Sequence, residues 1–198
     1  MNYISRISHT SLWLLFAAFM FGFAAQANAQ STPRIEAGAD YSYVRSNTPP
    51  GGCACFSMNG GGGSVAYYLN RSFAVAGEIS SGHSSDIGIS GTDLTLTSYV
   101  AGPRYYWRSH WKATPFTQVL LGGVHANNSL ALQVAGQQVS QNAFATKIGG
   151  GIDWPINQRF AIRPIEANYF LTHFANGVND HQNNLQLGAG VVLRFGER

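Results

Sequence analysis

Charge is what this sequence has least of. Asp, Glu, Lys and Arg make up 11% of its 198 residues, against roughly 25% in ordinary soluble domains. A soluble protein with so few charges needs another way to stay dispersed. The formal net charge is only +3, too little for a nucleic-acid binder, which neutralises many phosphates at once. Cysteine is scarce as well: Cys53 and Cys55 are the whole complement, and a lone C-x-C without a second ligand pair excludes an ordinary zinc site. No H-x-H and no glycine-rich phosphate loop is present, so no cofactor is expected. Long apolar runs are missing too. The one uninterrupted stretch, Leu12 to Ala25, has 14 residues, short of the roughly 20 that a spanning helix needs.

That run has a different explanation. Arg6 precedes it without any acid, and Ala27 and Ala29 follow it in an A-x-A arrangement. A basic start, a short greasy middle and a small-residue exit make a secretory signal. Residues 1–29 are therefore expected to be removed, leaving 30–198 as one domain. No composition break or linker divides this remainder. Asn59 to Ser64, "NGGGGS", leads straight into "VAYYLN" and reads as a glycine-lined strand.

What is abundant is glycine, 23 residues, and aromatics, 13%, which suit tight turns and close strand packing. Alternation supplies the rest. In "NLQLGAGVVLRF", Leu185, Leu187, Ala189, Val191, Leu193 and Phe195 share one parity; Asn184, Gln186, Gly188, Gly190, Val192 and Arg194 share the other. The same unlike faces recur in "RIEAGADYSY", "FAVAGEIS" and "AFATKIGGGIDW", the mark of half-buried strands. Four further segments alternate with slips: "GGGGSVAYYLN", "TLTSYVAGPRYYW", "TPFTQVLLGGVHA" and "FAIRPIEANYFL". Gly122-Gly123 and Pro164 are the residues expected to carry β-bulges there. Eight strands result. Their connections alternate between short (70–72, 108–112, 155–159) and long and polar (45–58, 82–92, 127–141, 173–183). This is the pattern of an all-β, eight-stranded antiparallel up-and-down transmembrane β-barrel with four surface-exposed loops, its strands about 9–11 residues long.

A soluble ligand-binding barrel would share the strand count. The charges decide against it. Glu36, Asp40, Glu78, Lys147, Asp153 and Arg194 fall on the minority face beside Gly, Ala and Ser, and Arg104, Arg163 and Glu166 are expected to join them. An eight-stranded interior is barely wide enough for side chains; it cannot hold Phe, Tyr, Trp and Leu from every strand. Charges and glycines belong inside, apolar groups outside against lipid, and closure leaves no unpaired edge. Four bases and five acids inside imply a salt-bridge network that plugs the lumen, since buried charges must be paired. A gated channel through the same cluster is the alternative. Tyr41, Tyr43, Tyr67, Tyr99, Tyr105, Trp107, Trp111, Trp154, Phe160 and Tyr169 lie near strand ends, as girdles at two water–lipid interfaces do.

The motifs "AGPRYYW", "TPFTQVLLGG", "KIGGGIDW", "FAIRPIEANYFLT" and "LQLGAGVVLRF", in this order and spacing, resemble the OmpA-type small outer-membrane barrels, the compact outer membrane protein beta-barrel family. The likeness spans nearly all of residues 30–198 and is specific to a fold rather than an activity. It implies an outer-membrane location, insertion by the barrel-assembly machinery, outer-membrane lipids as surroundings and short turns in the periplasm. Such barrels usually end on an aromatic; here Gly196-Glu197-Arg198 follow Phe195. Larger members carry a peptidoglycan-binding domain after the barrel, and with none after Phe195 wall attachment is not expected.

Two local features bear on chemistry. Cys53 and Cys55 fall in the first long loop, where an oxidising compartment permits a disulfide; a local bond would be strained and easily reduced, and free or intermolecular thiols remain open. His83 lies two residues before Ser85, a spacing that resembles outer-membrane lipid A deacylases, yet no orienting third group is identifiable. The expected role is structural or surface-interactive, non-enzymatic and monomeric. A small-solute channel, a lipid A-modifying enzyme and a soluble binding barrel are its rivals.

Overall fold

The computed structural model describes residues 33–46, 56–87, 92–108, 112–127, 140–174 and 181–197. The expected signal segment, Cys53, Cys55 and Trp111 lie outside them. Eight strands follow in order: β1 (Pro33–Ser46), β2 (Phe56–Tyr68), β3 (Phe73–Ile87), β4 (Thr92–Tyr106), β5 (Thr114–Asn127), β6 (Gln141–Pro155), β7 (Phe160–Thr172) and β8 (Gln182–Glu197). Each pairs antiparallel with the next, and β8 returns to β1, closing the barrel. Closure leaves no strand with a free row of N–H and C=O groups, the condition for crossing lipid.

The alternation read from the sequence governs which way each side chain points. On β8, Asn184, Gln186, Val192 and Arg194 are buried while Leu185, Leu187, Val191, Leu193 and Phe195 stand exposed. The outward apolar belt continues through Val65, Val75, Ile79, Val119, Leu121, Ile148, Ile152 and Ile165. An exposed belt this broad is far larger than an aqueous surface tolerates; it is made for acyl chains. Aromatics rim it. At the turn end stand Tyr67, Phe73, Tyr105, Trp107, Trp154 and Phe195, and at the loop end Tyr41, Tyr43, Tyr99 and Tyr169. The loop-end phenols point to polar partners: the Tyr41 hydroxyl donates to Asn59 Oδ1 at 2.7 Å and that of Tyr169 to Asn183 Oδ1, while Tyr43 pairs with Ser57 Oγ. A ring on lipid with its hydroxyl towards water is how an amphipathic side chain sits at an interface.

The strands are longer than the expected 9–11 residues, at 13 to 16. The excess lies at the loop end, so β1 and β2 take in 45–46 and 56–58, and β3 and β4 leave only 88–91 between them. There the outward residues are polar and pair across strands, as His83 with Thr95 and His125 with Asn142. Pairing continues past the apolar belt because these side chains keep the ladder occupied in water. The bulge expected at Gly122-Gly123 is absent: β5 keeps one register against β6 from Thr114 to Ala126, and His125 is simply an outward residue above the belt. The bulge at Pro164 is present. The register of β7 shifts between Arg163 and Glu166, Pro164 and Ile165 both face out, and two residues three apart thereby reach the same interior. Proline has no N–H for the ladder and marks the break.

Candidate functional site: the barrel interior

The interior is built from inward residues of all eight strands, whose polar groups bond in two clusters. On β7, Arg163 uses its whole fork. Nε lies 2.7 Å from Asp153 Oδ1, Nη2 3.2 Å from Oδ2, and Nη1 2.8 Å from Glu166 Oε2. The bulge makes the second contact possible, since in a regular strand residues 163 and 166 would face opposite sides. Glu166 Oε1 accepts from Gln118 Nε2 at 2.9 Å and Asn168 Nδ2 at 2.8 Å, and Gln118 Oε1 accepts from Arg104 Nε at 2.8 Å. Arg104 has no ion pair within 4 Å among the described residues. It is held by Gln118, by the Tyr106 hydroxyl at 3.4 Å and by the face of Phe116, 4.7 Å from its Cζ. Arg163 lies on that ring as well, at 4.4 Å. One aromatic quadrupole thus takes two guanidiniums, a placement Lys would exploit less well.

One further tie extends this cluster, and a second cluster stands apart from it. Arg194 Nε on β8 meets Glu36 Oε1 on β1 at 2.9 Å, and the Tyr106 hydroxyl on β4 donates to Glu36 Oε2 at 2.8 Å. Lys147 Nζ on β6 lies 2.6 Å from Glu78 Oε1 and 2.9 Å from Ser80 Oγ on β3, and Ser80 bonds Ser98 on β4. Lys147 is fully buried; in a site this dry an unpaired ammonium would be untenable.

Of the nine ionisable residues read from the sequence, eight are buried in this interior, and seven of them make ion pairs. Asp40 differs. It points inward but is only half-buried, with no ion pair within 4 Å among the described residues. Its carboxylate lies beside Gly62 and Gly188, where a Cβ would come within 3.3 and 3.7 Å of its oxygens.

Sequence reasoning placed charges and small residues inside and overlooked large apolar ones. Towards the loop end Met58, Val124 and Phe170 are almost wholly enclosed, joined by Val44 and Leu94, with Leu120 nearer mid-height. At the turn end Tyr68 packs on Tyr106 with ring centroids 5.0 Å apart, and the Arg108 guanidinium stacks over both at 5.1 and 5.6 Å. The parity of Phe116, Leu120 and Val124 with Gln118 was the available signal. His83 and Ser85 stand on the outer face of β3, with His83 Nδ1 bonded to Thr95 Oγ1 at 3.0 Å.

Chemically the arrangement pairs buried ions and amides between strands across the interior. No group of three His, Cys, Asp or Glu able to hold a metal ion occurs among the described residues.

The family model described as "Outer membrane protein beta-barrel domain" matches residues 14–195. No curated protein matches the chain. Among solved structures the chain is similar to Neisserial surface protein A, at 16% identity and a TM-score of 0.63, covering 81% of this chain and 97% of that one. It is also similar to Ail, the attachment invasion locus protein of Yersinia pestis, at 21% identity and a TM-score of 0.51, with 79% and 97% covered. A further Ail structure, in complex with the heparin analogue sucrose octasulfate, matches at 21% identity and a TM-score of 0.50, covering 80% and 99%. At these identities the likeness concerns the fold.

Proposed function

Because this chain belongs to the outer membrane protein beta-barrel domain family, we propose that its barrel is closed to ion flow and serves a structural or surface-interaction role in the outer membrane. The supporting observation is the cross-lumen pair Lys147–Glu78, 2.6 Å apart and enclosed, with the apolar cluster of Met58, Val124 and Phe170 above it. Opening a path would separate buried ions and expose apolar side chains in one step, which is costly on both counts. Export with loss of residues 1–29, insertion by the barrel-assembly machinery and a monomeric state belong to the same reading. Planar-bilayer recording of the purified barrel tests it: no steady large conductance is expected, and a steady one overturns the proposal.

Half-buried Asp40 between glycines is the observation that favours a second reading, a small-solute channel. The same recording separates the two.

Charge at the loop end does not favour, as surface partner, a sulfated polymer of the kind bound in the Ail complex. The segments between strands at the loop end carry a single charge, Asp180, and the flanking strand ends add Asp86 and Asp93 against Arg45. A net negative rim repels a polyanion. Partners for this end are neutral or cationic surfaces, tested by binding of intact cells or vesicles displaying the barrel to neutral glycan and basic peptide arrays.

A further inference from the structure

The two ends of the barrel differ in charge, and the difference is large for a chain so poor in charge. At the turn end stand Arg34 beside the β1–β8 seam, Arg71 in turn 69–72, Arg108 and Lys112 between β4 and β5, and Arg159 in turn 156–159. All are exposed except Arg108, which is half-buried. Apart from Glu197 at the end of β8, no exposed acid among the described residues shares this end: Glu36 and Asp153 are turned inward onto Arg194 and Arg163. The last two residues of the chain, Glu197 and Arg198, carry opposite charges. The loop end, as given above, is net negative.

This collar is continuous with the lipid-facing belt. The Arg34 guanidinium lies 6.0 Å over the ring of Tyr67 and donates to its hydroxyl at 3.5 Å. Arg108 Nε donates to the carbonyl of Arg71 at 2.6 Å, tying one turn to the next. Asn70 and Asn157 play equivalent parts: each Oδ1 accepts two backbone N–H groups, from Ser72 and Phe73 and from Arg159 and Phe160. The turns are thereby fixed just beyond Tyr67, Phe73, Trp107 and Trp154.

We propose that the turn-end collar of Arg34, Arg71, Lys112 and Arg159 binds anionic phospholipid headgroups of the adjoining leaflet and gathers them around this end of the barrel. The occupant follows from position. Charges set at the edge of an acyl-chain belt and its aromatic rim stand at headgroup depth, and each basic group at an anionic surface adds attraction that dies away within a Debye length. An acidic protein or polymer docking below the barrel would require the charges to face away from the belt, on the turn tips alone; Arg34 is beside the belt, on Tyr67.

The chain supplies its own probe. With residues 1–29, and Trp13 among them, removed, the remaining tryptophans are Trp107, Trp111 and Trp154. Trp107 and Trp154 end β4 and β6 at the turns, and Trp111 falls in sequence between β4 and β5. Tryptophan fluorescence then reports the turn end alone. The protein is refolded into phosphatidylcholine vesicles holding a fixed minor fraction of phosphatidylglycerol, and quenching is compared with bromines carried on that fraction or on an equal fraction of the phosphatidylcholine. Brominated phosphatidylglycerol is expected to quench about twofold more strongly, and high salt to shrink the excess. Arg34→Gln/Arg71→Gln/Lys112→Gln/Arg159→Gln should abolish the excess, and Arg71→Gln/Arg159→Gln, confined to exposed turns, should halve it, each with folding checked by heat-modifiable gel migration. Equal quenching by both lipids in the wild type overturns the proposal and leaves the collar to an acidic macromolecule. So does an excess that survives the fourfold substitution or is undiminished by the double one, because it then arises elsewhere on the barrel. None of these outcomes bears on whether the lumen conducts.

Discussion

Lys147 on β6 and Glu78 on β3 meet with Nζ 2.6 Å from Oε1, although three strand-to-strand steps separate them around the ring. The bond therefore runs across the lumen and not along its wall. Replacing Lys147 by Ala strands the Glu78 carboxylate in a dry site, and the barrel should lose about 3–5 kcal/mol. The double replacement Lys147→Met/Glu78→Leu should recover most of this, because well-packed apolar pairs commonly match a buried ion pair. Reversible urea unfolding in lipid vesicles measures both; equal losses in the single and double variants would show that packing, not pairing, sets the cost.

Arg163 makes contacts that need a planar fork: two to Asp153 and one to Glu166. Arg163→Lys keeps the charge and cannot serve both acids, so it should destabilise measurably, and Arg163→Ala should cost more, about 3–5 kcal/mol. The same unfolding assay ranks the three proteins.

Orientation can be read directly with spin labels. A label at Leu187, exposed on the belt, should collide freely with oxygen dissolved in the bilayer, and one at Gln186, enclosed inside, should not. The reverse pattern would remove the basis for a lipid-facing belt.

Two glycines give opposite expectations. At Gly102 a Cβ would stand 2.1 Å from the Val119 carbonyl oxygen, and at Gly77 it would meet nothing within 4 Å. Gly102→Ala should cost about 1–3 kcal/mol by overpacking, while Gly77→Ala should be neutral or stabilising by up to about 1 kcal/mol through reduced freedom of the unfolded chain. Urea midpoints distinguish them.

His83→Ala should leave lipid A unchanged in mass spectra of cells expressing the protein, since His83 is engaged with Thr95 on the outer face. A mass shift that disappears with this substitution would establish an enzyme.

The sequence made the faces of β1, β6 and β8 legible because lipid and lumen impose opposite demands on neighbouring residues, and a period of two survives wherever both demands act. Pro164 announced its bulge because it lacks a donor. The strand ends were harder to read for the converse reason. Around Ser81, His83, Thr95 and Thr97 the outward face has left the lipid and is polar while the inward Leu94 is enclosed, so the expected alternation fades even though the ladder persists. The apolar interior of Met58, Val124 and Phe170 escaped notice because parity tells which side a residue faces, not how high in the barrel it stands. Pairings such as Lys147 with Glu78 depend on strand tilt and stagger around the whole ring, which no single strand encodes.

One bond has a meaning for how the protein is made. Arg194 and Glu36 lie on the last and first strands, 158 positions apart, and Tyr106 adds its hydroxyl to the same carboxylate. Until the final strand pairs with the first, Glu36 lacks this counter-ion. The two ends of the polypeptide thus act as a clasp, and a chain cut short of Arg194 is left with an acid it cannot hide.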